Sequence, residues 1–266
     1  AGRVKFARFS AFGTKEGLPF EVQYLTAADE LVFFSNTNWT TFDLSTGEYI
    51  TKLGQLRRLT ISGYGLVDLD PDFKNLKNLE SLDISVNNFE KIPEVLTKEN
   101  FPKLHALYLN TCQRGVIYDL SNTTTTHFGG LFEETDQTRE FPRRLLEWDN
   151  LDTLTLSVNY LQGRIPDMKD YAQKYTQADI SAADSLPQAL VGTPKVLPNI
   201  KRFSINLNRL TGELPEWLLH HPALDWMDPF TLVFTQEGKD QDGKLAGFTN
   251  EPVNLDEYYR FYEGKK

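Results

Sequence analysis

The sequence predicts an α/β-type solenoid, in which short repeated units stack side by side and each unit adds one strand to a parallel sheet. Three observations lead to this fold class. Segments of the form L-x-x-L-x-L-x-x-N-x-L recur along the 266 residues with a period near 24. Their alternating apolar residues suit a short strand with one buried face. A proline also lies fifteen residues after the first apolar residue of four segments. Such periodicity is typical of chains that bury a core only by stacking repeats.

The predicted repeats begin at eight apolar residues, which are Val4, Ala28, Leu56, Leu79, Leu104, Leu151, Ile200 and Leu224. Two of the spacings, 47 and 49 residues, are about twice the others. Each of these intervals holds either a degenerate repeat or an insertion. We favour insertions, over residues 113–147 and 167–196, because neither interval contains a convincing L-x-x-L-x-L segment. Residues 1–266 are then predicted to form a single domain.

A small polar residue follows the predicted strand of five repeats at the same distance. These residues are Asn36, Asn87, Cys112, Asn159 and Asn208. An inward-pointing amide at this turn can satisfy backbone donors and acceptors that the turn leaves unpaired. We therefore predict a buried structural ladder, in which the single cysteine of the chain is an inert thiol rather than a nucleophile.

The second half of the repeat carries the motif L-x-G-x-(I/L)-P, most clearly in Leu161–Pro166 and Leu210–Pro215. With this motif the sequence resembles the leucine-rich repeat family in its plant-type form, and it is similar to leucine-rich repeat proteins of bacterial cell surfaces. The resemblance implies a horseshoe with a concave parallel β-sheet. The convex side is predicted to be mostly irregular or 3-10, because the recurrent proline is incompatible with a regular helix interior.

The insertions and the C-terminal segment depart from the repeat. Residues 113–147 are predicted to form a long surface loop that closes with a short helix from Arg143 to Trp148. In residues 167–196 the run from Met168 to Ala178 is compatible with a helix. Residues 229–266 are predicted to cap the end of the solenoid with their aromatic side chains, and they contain a predicted hairpin turn at Asp242-Gly243. A ligand-stacking platform is the alternative role of these aromatic residues. Long loops in compact proteins are often functional, but whether these insertions bind anything is left open.

Composition and charge exclude several classes of partner. A net charge of −9 with a pI near 5.0 argues against nucleic acid, which requires a basic surface. It also argues against adsorption to an anionic membrane. No apolar run approaches the length of a membrane span. One cysteine allows no disulfide within the chain. The resemblance implies an exported protein, extracellular or at the cell surface, whose signal segment is not part of this sequence.

The sequence gives no support for catalysis, a metal site or a cofactor. It has four histidines and contains neither H-E-x-x-H nor C-x-x-C. His220 and His221 are predicted to be solvent-facing turn residues. No nucleophile motif or phosphate-binding loop is present. We therefore predict a protein without a catalytic residue, a metal ion or a cofactor.

The outward strand positions are the predicted binding surface. The residues assigned to partner binding on the concave face are Arg57, Arg58, Asp83, His105, Tyr108, Lys201 and Arg202. Aromatic and arginine side chains supply most of the energy of protein interfaces, so Tyr108 and the basic residues are the expected anchors. The predicted function is non-catalytic binding of a protein or peptide. Carbohydrate binding is the alternative. Trp148 is either a further anchor or a packed residue.

Overall fold

The computed structural model describes residues 3–10, 18–34, 47–64, 66, 68–87, 89, 92–110, 140–182, 186–219, 221–224, 235–239 and 242–250. The chain divides into two compact units. Unit 1 comprises Ala1–Gln137 with Leu154–Tyr160, and unit 2 comprises Thr138–Thr153 with Leu161–Lys266.

Unit 1 is built on short parallel strands. They are β1 (Phe6–Ser10), β2 (Glu30–Phe34), β3 (Arg58–Ser62), β4 (Ser81–Asp83) and β5 (Ala106–Tyr108). Each strand pairs with the next along the chain. After β5, the N–H of Leu109 donates to the carbonyl of Thr155 at 2.9 Å, in strand β6 (Thr153–Thr155). Parallel strands paired in sequence order, one for each repeat, confirm the predicted solenoid fold class.

Leucine side chains in register form the core beneath this sheet. Leu31 pairs with Leu59, Leu59 with Leu82, and Leu82 with Leu107, and all four are at most 1% exposed. The row buries the apolar positions that the strand alternation predicts. Val4, the first apolar residue of the first predicted repeat, is instead 49% exposed.

The segments that follow the strands of unit 1 contain 3-10 turns, as the sequence predicts. They span Phe20–Tyr24, Ile50–Lys52 and Pro71–Asn75. The sequence analysis attributed these turns to prolines that exclude a regular helix. This reason is wrong for Pro71, which begins a helical turn rather than preventing one. Pro71 is the first residue of its turn, and Asp70 caps that turn by accepting from the N–H of Asp72. Proline is tolerated there because a first-turn N–H has no partner within the helix.

Unit 2 contains a second sheet that the sequence analysis did not predict. Its strands are β7 (Gln162–Gly163), β9 (Arg209–Gly212) and β10 (Gly247–Phe248), parallel and in the order β10-β9-β7. Strand β8 (Arg202–Ser204) lies before β9 along the chain. The L-x-G-x-(I/L)-P motif thus pairs with its copy in the next repeat instead of remaining irregular. The motif contains too few residues for periodicity to reveal a strand.

Three short α-helices lie in the described part of unit 2. They are α1 (Arg143–Leu146), α2 (Gln177–Ala182) and α3 (Glu216–Leu219). Helix α1 lies within the predicted 143–148 segment, whereas residues 113–139 of the first insertion lie outside the described residues. Helix α3 directly follows Pro215, so proline at this place does not exclude an α-helical turn.

The predicted helix from Met168 to Ala178 is wrong. The segment forms turns, and Met168 has the left-handed φ of 56°. Residues 173–175 pair with residues 192–195 as an antiparallel ribbon, with a bridge between Lys174 and Pro194. The helix starts only at Gln177, where the Thr176 and Asp179 side chains cap each other's backbone N–H groups. The pairing of these two distant segments cannot be read from a local sequence pattern. The helix propensity of residues 168–178 was therefore misleading.

The end of the chain is described only in part. Lys239 and Leu245 form an antiparallel bridge around Gly243, whose φ is 76°, which agrees with the predicted turn at Asp242-Gly243. Phe248 is buried in β10. The aromatic residues of 251–266, to which the cap is assigned, lie outside the described residues.

Candidate functional site

The outward side chains of the unit 1 sheet form rows across the strands. Because alternate residues of a strand share a face, the register places Glu30 beside Arg58, and Asp83 between Thr60 and Tyr108. Arg8 and Val32 continue the second row toward β1. Phe34 and Ser62 lie side by side in a third row. We call this surface the sheet face.

The two predicted arginine anchors are held in ion pairs on this surface. Arg57 donates from Nε and Nη2 to the two carboxylate oxygens of Glu80 at 2.8 and 2.7 Å. Arg58 contacts Glu30 Oε2 at 2.8 Å from Nε and 2.7 Å from Nη2. The hydrogen bonds that Arg57 donates to the Glu80 carboxylate raise the pKa of Arg57 above its ordinary value. The guanidinium groups are therefore fixed in direction rather than free.

The other predicted residues of unit 1 have distinct surroundings. Asp83 accepts from the N–H of Ser85 at 3.0 Å, which orients its carboxylate. Tyr108 is half-buried next to it, and His105 is exposed just before β5. The structure thus brings Arg58, Asp83 and Tyr108 onto neighbouring strands.

Lys201 and Arg202 lie in unit 2, at the start of β8. Their backbone N–H groups donate to the carbonyl of Asp152 at 2.8 and 3.0 Å. Lys201 is exposed, and Arg202 is half-buried.

Phe34 is an aromatic residue of the sheet face that the sequence analysis missed. It is 37% exposed, and the Arg8 guanidinium carbon lies 5.4 Å from the centre of its ring. The exposure of Phe34 could have been predicted from the sequence. Alternate residues of the Glu30–Phe34 strand face opposite sides, so Phe33 points inward and Phe34 outward.

The asparagines that follow the strands are buried and hydrogen-bonded. Asn87 is 2% exposed, and its Oδ1 accepts from the N–H groups of Tyr64 and Leu66, both at 3.2 Å. Its Nδ2 donates to the carbonyls of Ile61 and Ile84 at 2.8 and 2.7 Å. The amide thus links its own repeat to the preceding one.

Asn159 and Asn208 have corresponding contacts, and both are 0% exposed. Asn159 Nδ2 donates to the carbonyls of Leu109 and Leu156 at 2.7 and 3.0 Å. Asn208 Oδ1 accepts from the N–H of Leu161 at 3.2 Å. Asn36 and Cys112 lie outside the described residues.

A family model described as Leucine Rich Repeat matches residues 78–98. This span contains β4 and the buried Asn87. Together with the parallel strands of unit 1, this match indicates a leucine-rich repeat fold. No curated protein matches the sequence.

Three solved structures are among those that match this chain. A Leptospira interrogans leucine-rich repeat protein shares 13% identity, with a TM-score of 0.48 over 83% of this chain and 47% of its own. The plant peptide hormone receptor RGFR1 in complex with RGF2 shares 15% identity, with a TM-score of 0.45 over 84% of this chain and 30% of its own. The Arabidopsis receptor kinase HAESA in complex with the peptide hormone IDA and a co-receptor shares 19% identity, with a TM-score of 0.44 over 76% of this chain and 25% of its own. The chain covers less than half the length of each of these proteins.

His221 is a buried histidine that the sequence analysis placed wrongly. His221, expected in solvent, is 2% exposed, and its Nε2 lies 3.1 and 3.0 Å from the carbonyls of Val196 and Leu197. Its Nδ1 accepts from the N–H of Ala223 at 3.2 Å. Burial lowers the pKa of His221 to about 4. The ring is therefore neutral at pH 7 and joins the end of the second insertion to the turn after α3.

The described part of the chain contains no group of three or more His, Cys, Asp or Glu residues that could hold a metal ion. None of its helices has the length and apolar character needed to cross a membrane. Trp148, a possible anchor in the sequence analysis, is 1% exposed and therefore a packed residue.

Proposed function

We propose that this leucine-rich repeat chain is a non-catalytic recognition module that binds a protein or peptide partner through the sheet face of unit 1. The proposal includes export and display on a bacterial cell surface. The observation that carries it is the row in which Asp83 lies directly beside Tyr108, on the exposed side of strands whose other side is the core. The leucine-rich repeat fold itself suggests a protein–protein interaction module.

The aromatic residues Phe34 and Tyr108 supply apolar contact area on this surface, and Arg8, Arg58 and Asp83 supply directed polar groups. Aromatic and arginine side chains dominate the binding energy of protein interfaces. Arg58 is already oriented by Glu30, so it loses less conformational freedom when a partner binds. The preformed ion pairs favour a partner that carries charges of both signs, because a partner of one sign would leave a charge unmatched.

Lys201 and Arg202 remain proposed contacts of unit 2. Their place at the start of β8 corresponds to that of Arg57 and Arg58 at the start of β3. Their contribution to partner binding can be measured separately from that of unit 1. A double replacement of Lys201 and Arg202 by alanine leaves the residues of the sheet face unchanged.

A displayed library of random twelve-residue peptides, selected on the immobilised protein, tests the proposed surface. We expect selected peptides to bind Tyr108→Ala and Phe34→Ala at least tenfold more weakly than wild type. Tyr24→Ala is the matched control, because Tyr24 is 66% exposed in unit 1 but lies in a 3-10 turn rather than in a strand. A selection that yields no peptide distinguishing wild type from Tyr108→Ala or Phe34→Ala would exclude the sheet face. Specific binding on a glycan array with no recovered peptide would replace the protein partner with a carbohydrate.

Export is tested by protease treatment of intact source cells that carry the full-length gene product. A surface protein should be cleaved in intact cells to the same extent as in lysed cells. Protection in intact cells would overturn the proposed display.

A further inference from the structure

Unit 2 contains a cleft of about 1050 Å³ that is distinct from any strand face. Its walls come from three segments, which are 164–169, 187–196 and 213–222, and Tyr175 lines it between them. The first and third are equivalent turns of two repeats, and the second belongs to the insertion of residues 167–196. We call this space the insertion cleft. Its volume is at the upper end of the range usual for ligand sites.

The interior of the insertion cleft is apolar. Ile165 and Leu214, at equivalent positions of the two turns, line it together with Leu190, Val196 and Trp217, and each of these five side chains is at most 7% exposed. The indole N–H of Trp217 donates to the carbonyl of Pro166 at 2.8 Å. The indole is therefore already satisfied and fixed, and it offers apolar surface to an occupant.

The insertion wall is held in place before any ligand binds. The N–H of Tyr175 donates to the carbonyl of Thr193 at 3.0 Å, and the N–H of Gly192 donates to the carbonyl of Tyr175 at 2.8 Å. The Lys195 ammonium group lies 2.7 Å from Asp179 Oδ1 and 5.7 Å from the centre of the Tyr175 ring. His221 ties Val196 and Leu197 to the turn after α3. A preformed site loses little free energy to ordering on binding.

Charges of opposite sign lie at the two equivalent turns of the cleft. Arg164 and Glu213 are the same position of the L-x-G-x-(I/L)-P motif in consecutive copies, and both are exposed and line the cleft. Neither side chain makes an ion pair or hydrogen bond with another residue in the described part of the chain. The Arg164 side chain lies over Gly212, where an added Cβ would stand 3.0 Å from Arg164 Nε. Because Gly212 has no side chain, the Arg164 side chain can pack against its backbone.

We infer that the insertion cleft is a second binding site, which takes a short peptide segment with an apolar side chain flanked by charges of both signs. The apolar interior accepts the side chain, and Arg164 and Glu213 contact the flanking charges. A purely apolar small molecule would leave both charged groups without a partner, and a polyanion would be repelled by Glu213 and by Asp167. The site goes beyond the proposed function, because every lining residue belongs to unit 2.

The cleft can be blocked without disturbing the core. Ala189 is exposed and lines the cleft, so Ala189→Trp fills the space from its solvent side. Ala178→Trp is the matched control, because Ala178 is equally exposed on α2 and does not line the cleft. Circular dichroism and thermal unfolding of both variants establish that they are folded.

The twelve-residue peptide library is selected on wild-type protein after depletion on Ala189→Trp. We expect recovered peptides to bind wild type and Ala178→Trp equally, and to bind Ala189→Trp at least tenfold more weakly. Arg164→Glu and Glu213→Lys should each weaken binding by about three- to tenfold, whereas Tyr108→Ala should have no effect. That last comparison separates failure of this site from failure of the sheet face.

Two results would overturn the inference. One is a selection that yields no peptide distinguishing wild type from Ala189→Trp. The other is binding of the anionic aromatic fluorophore anilinonaphthalene sulfonate that Ala189→Trp abolishes, without any peptide that competes for it. The second result would assign the cleft to small aromatic molecules instead.

Discussion

Asn87 Oδ1 accepts a 3.2 Å hydrogen bond from the backbone N–H of Tyr64, which is 23 residues earlier and belongs to the preceding repeat. The same side chain donates to Ile61 of that repeat and to Ile84 of its own. The amide therefore takes the place of strand pairing at a turn where the strands have ended. The turn of one repeat obtains these hydrogen bonds from the asparagine of the next repeat.

Asn87→Ala should reduce the free energy of unfolding by about 3–5 kcal/mol, because several buried backbone groups each lose a hydrogen bond. Urea unfolding followed by circular dichroism measures the change. Asn78→Ala is the matched control, because its half-buried amide donates to one carbonyl, that of Gly54, and accepts only an exposed hydrogen bond from Lys103 Nζ. The control should lose about 1 kcal/mol. Equal losses in the two variants would contradict a special role for the buried position.

Val86 adopts a left-handed backbone with φ 59°, and Val158, in another repeat, does so with φ 60°. Each immediately precedes a buried asparagine. A β-branched residue in this conformation is strained by about 1–3 kcal/mol, whereas asparagine adopts it readily. Val86→Asn relieves this strain but loses some buried apolar area, so the free energy of unfolding should rise by about 0.5–1 kcal/mol in total. Val191→Asn, at φ −54°, should bring no gain. A destabilised Val86→Asn would mean that side-chain packing outweighs the strain.

Gly47 has φ 53°, and an added Cβ would stand 2.7 Å from Cζ of the buried Phe73. Gly47→Ala combines an unfavourable backbone conformation with a clash in the core. It should lower the free energy of unfolding by about 2–4 kcal/mol. Gly54→Ala is the control, because the nearest atom to its added Cβ is the Asn75 carbonyl oxygen at 3.7 Å. A similar midpoint of thermal unfolding for both variants would contradict the prediction.

The buried His221 makes stability depend on pH. Its pKa is lowered from 6.5 to about 4 by burial, so the unfolded state takes up a proton at a higher pH than the folded state does. The stabilisation is complete above pH 6.5 and is lost as pH falls toward 4, by on the order of 3 kcal/mol. The measurement is the difference in unfolding free energy between wild type and His221→Gln at several pH values. A difference that stays constant between pH 7 and 4 would contradict this assignment.

The repeat pattern predicted the strands of unit 1 and their order, because alternation and a 24-residue period require stacking to bury Leu31, Leu59 and their equivalents. It could not predict the antiparallel ribbon around Tyr175, since the pairing of 173–175 with 192–195 joins residues with no common pattern. Nor could it predict the burial of His221, whose partners are carbonyl groups of the insertion. Side-chain type alone suggested Arg57 and Arg58 as anchors, and the tertiary structure then paired them with Glu80 and Glu30.

By itself the sequence determined that short units stack as leucine-rich repeats, because periodic apolar residues have one low-energy arrangement. Only the tertiary structure decided which polar groups are satisfied and which remain available. That depends on neighbours from distant segments, as with Arg164 and Glu213 at the rim of a cleft that the insertion completes. Hydrophobic burial follows local spacing, whereas hydrogen bonds and ion pairs require atoms to meet within about 3–4 Å.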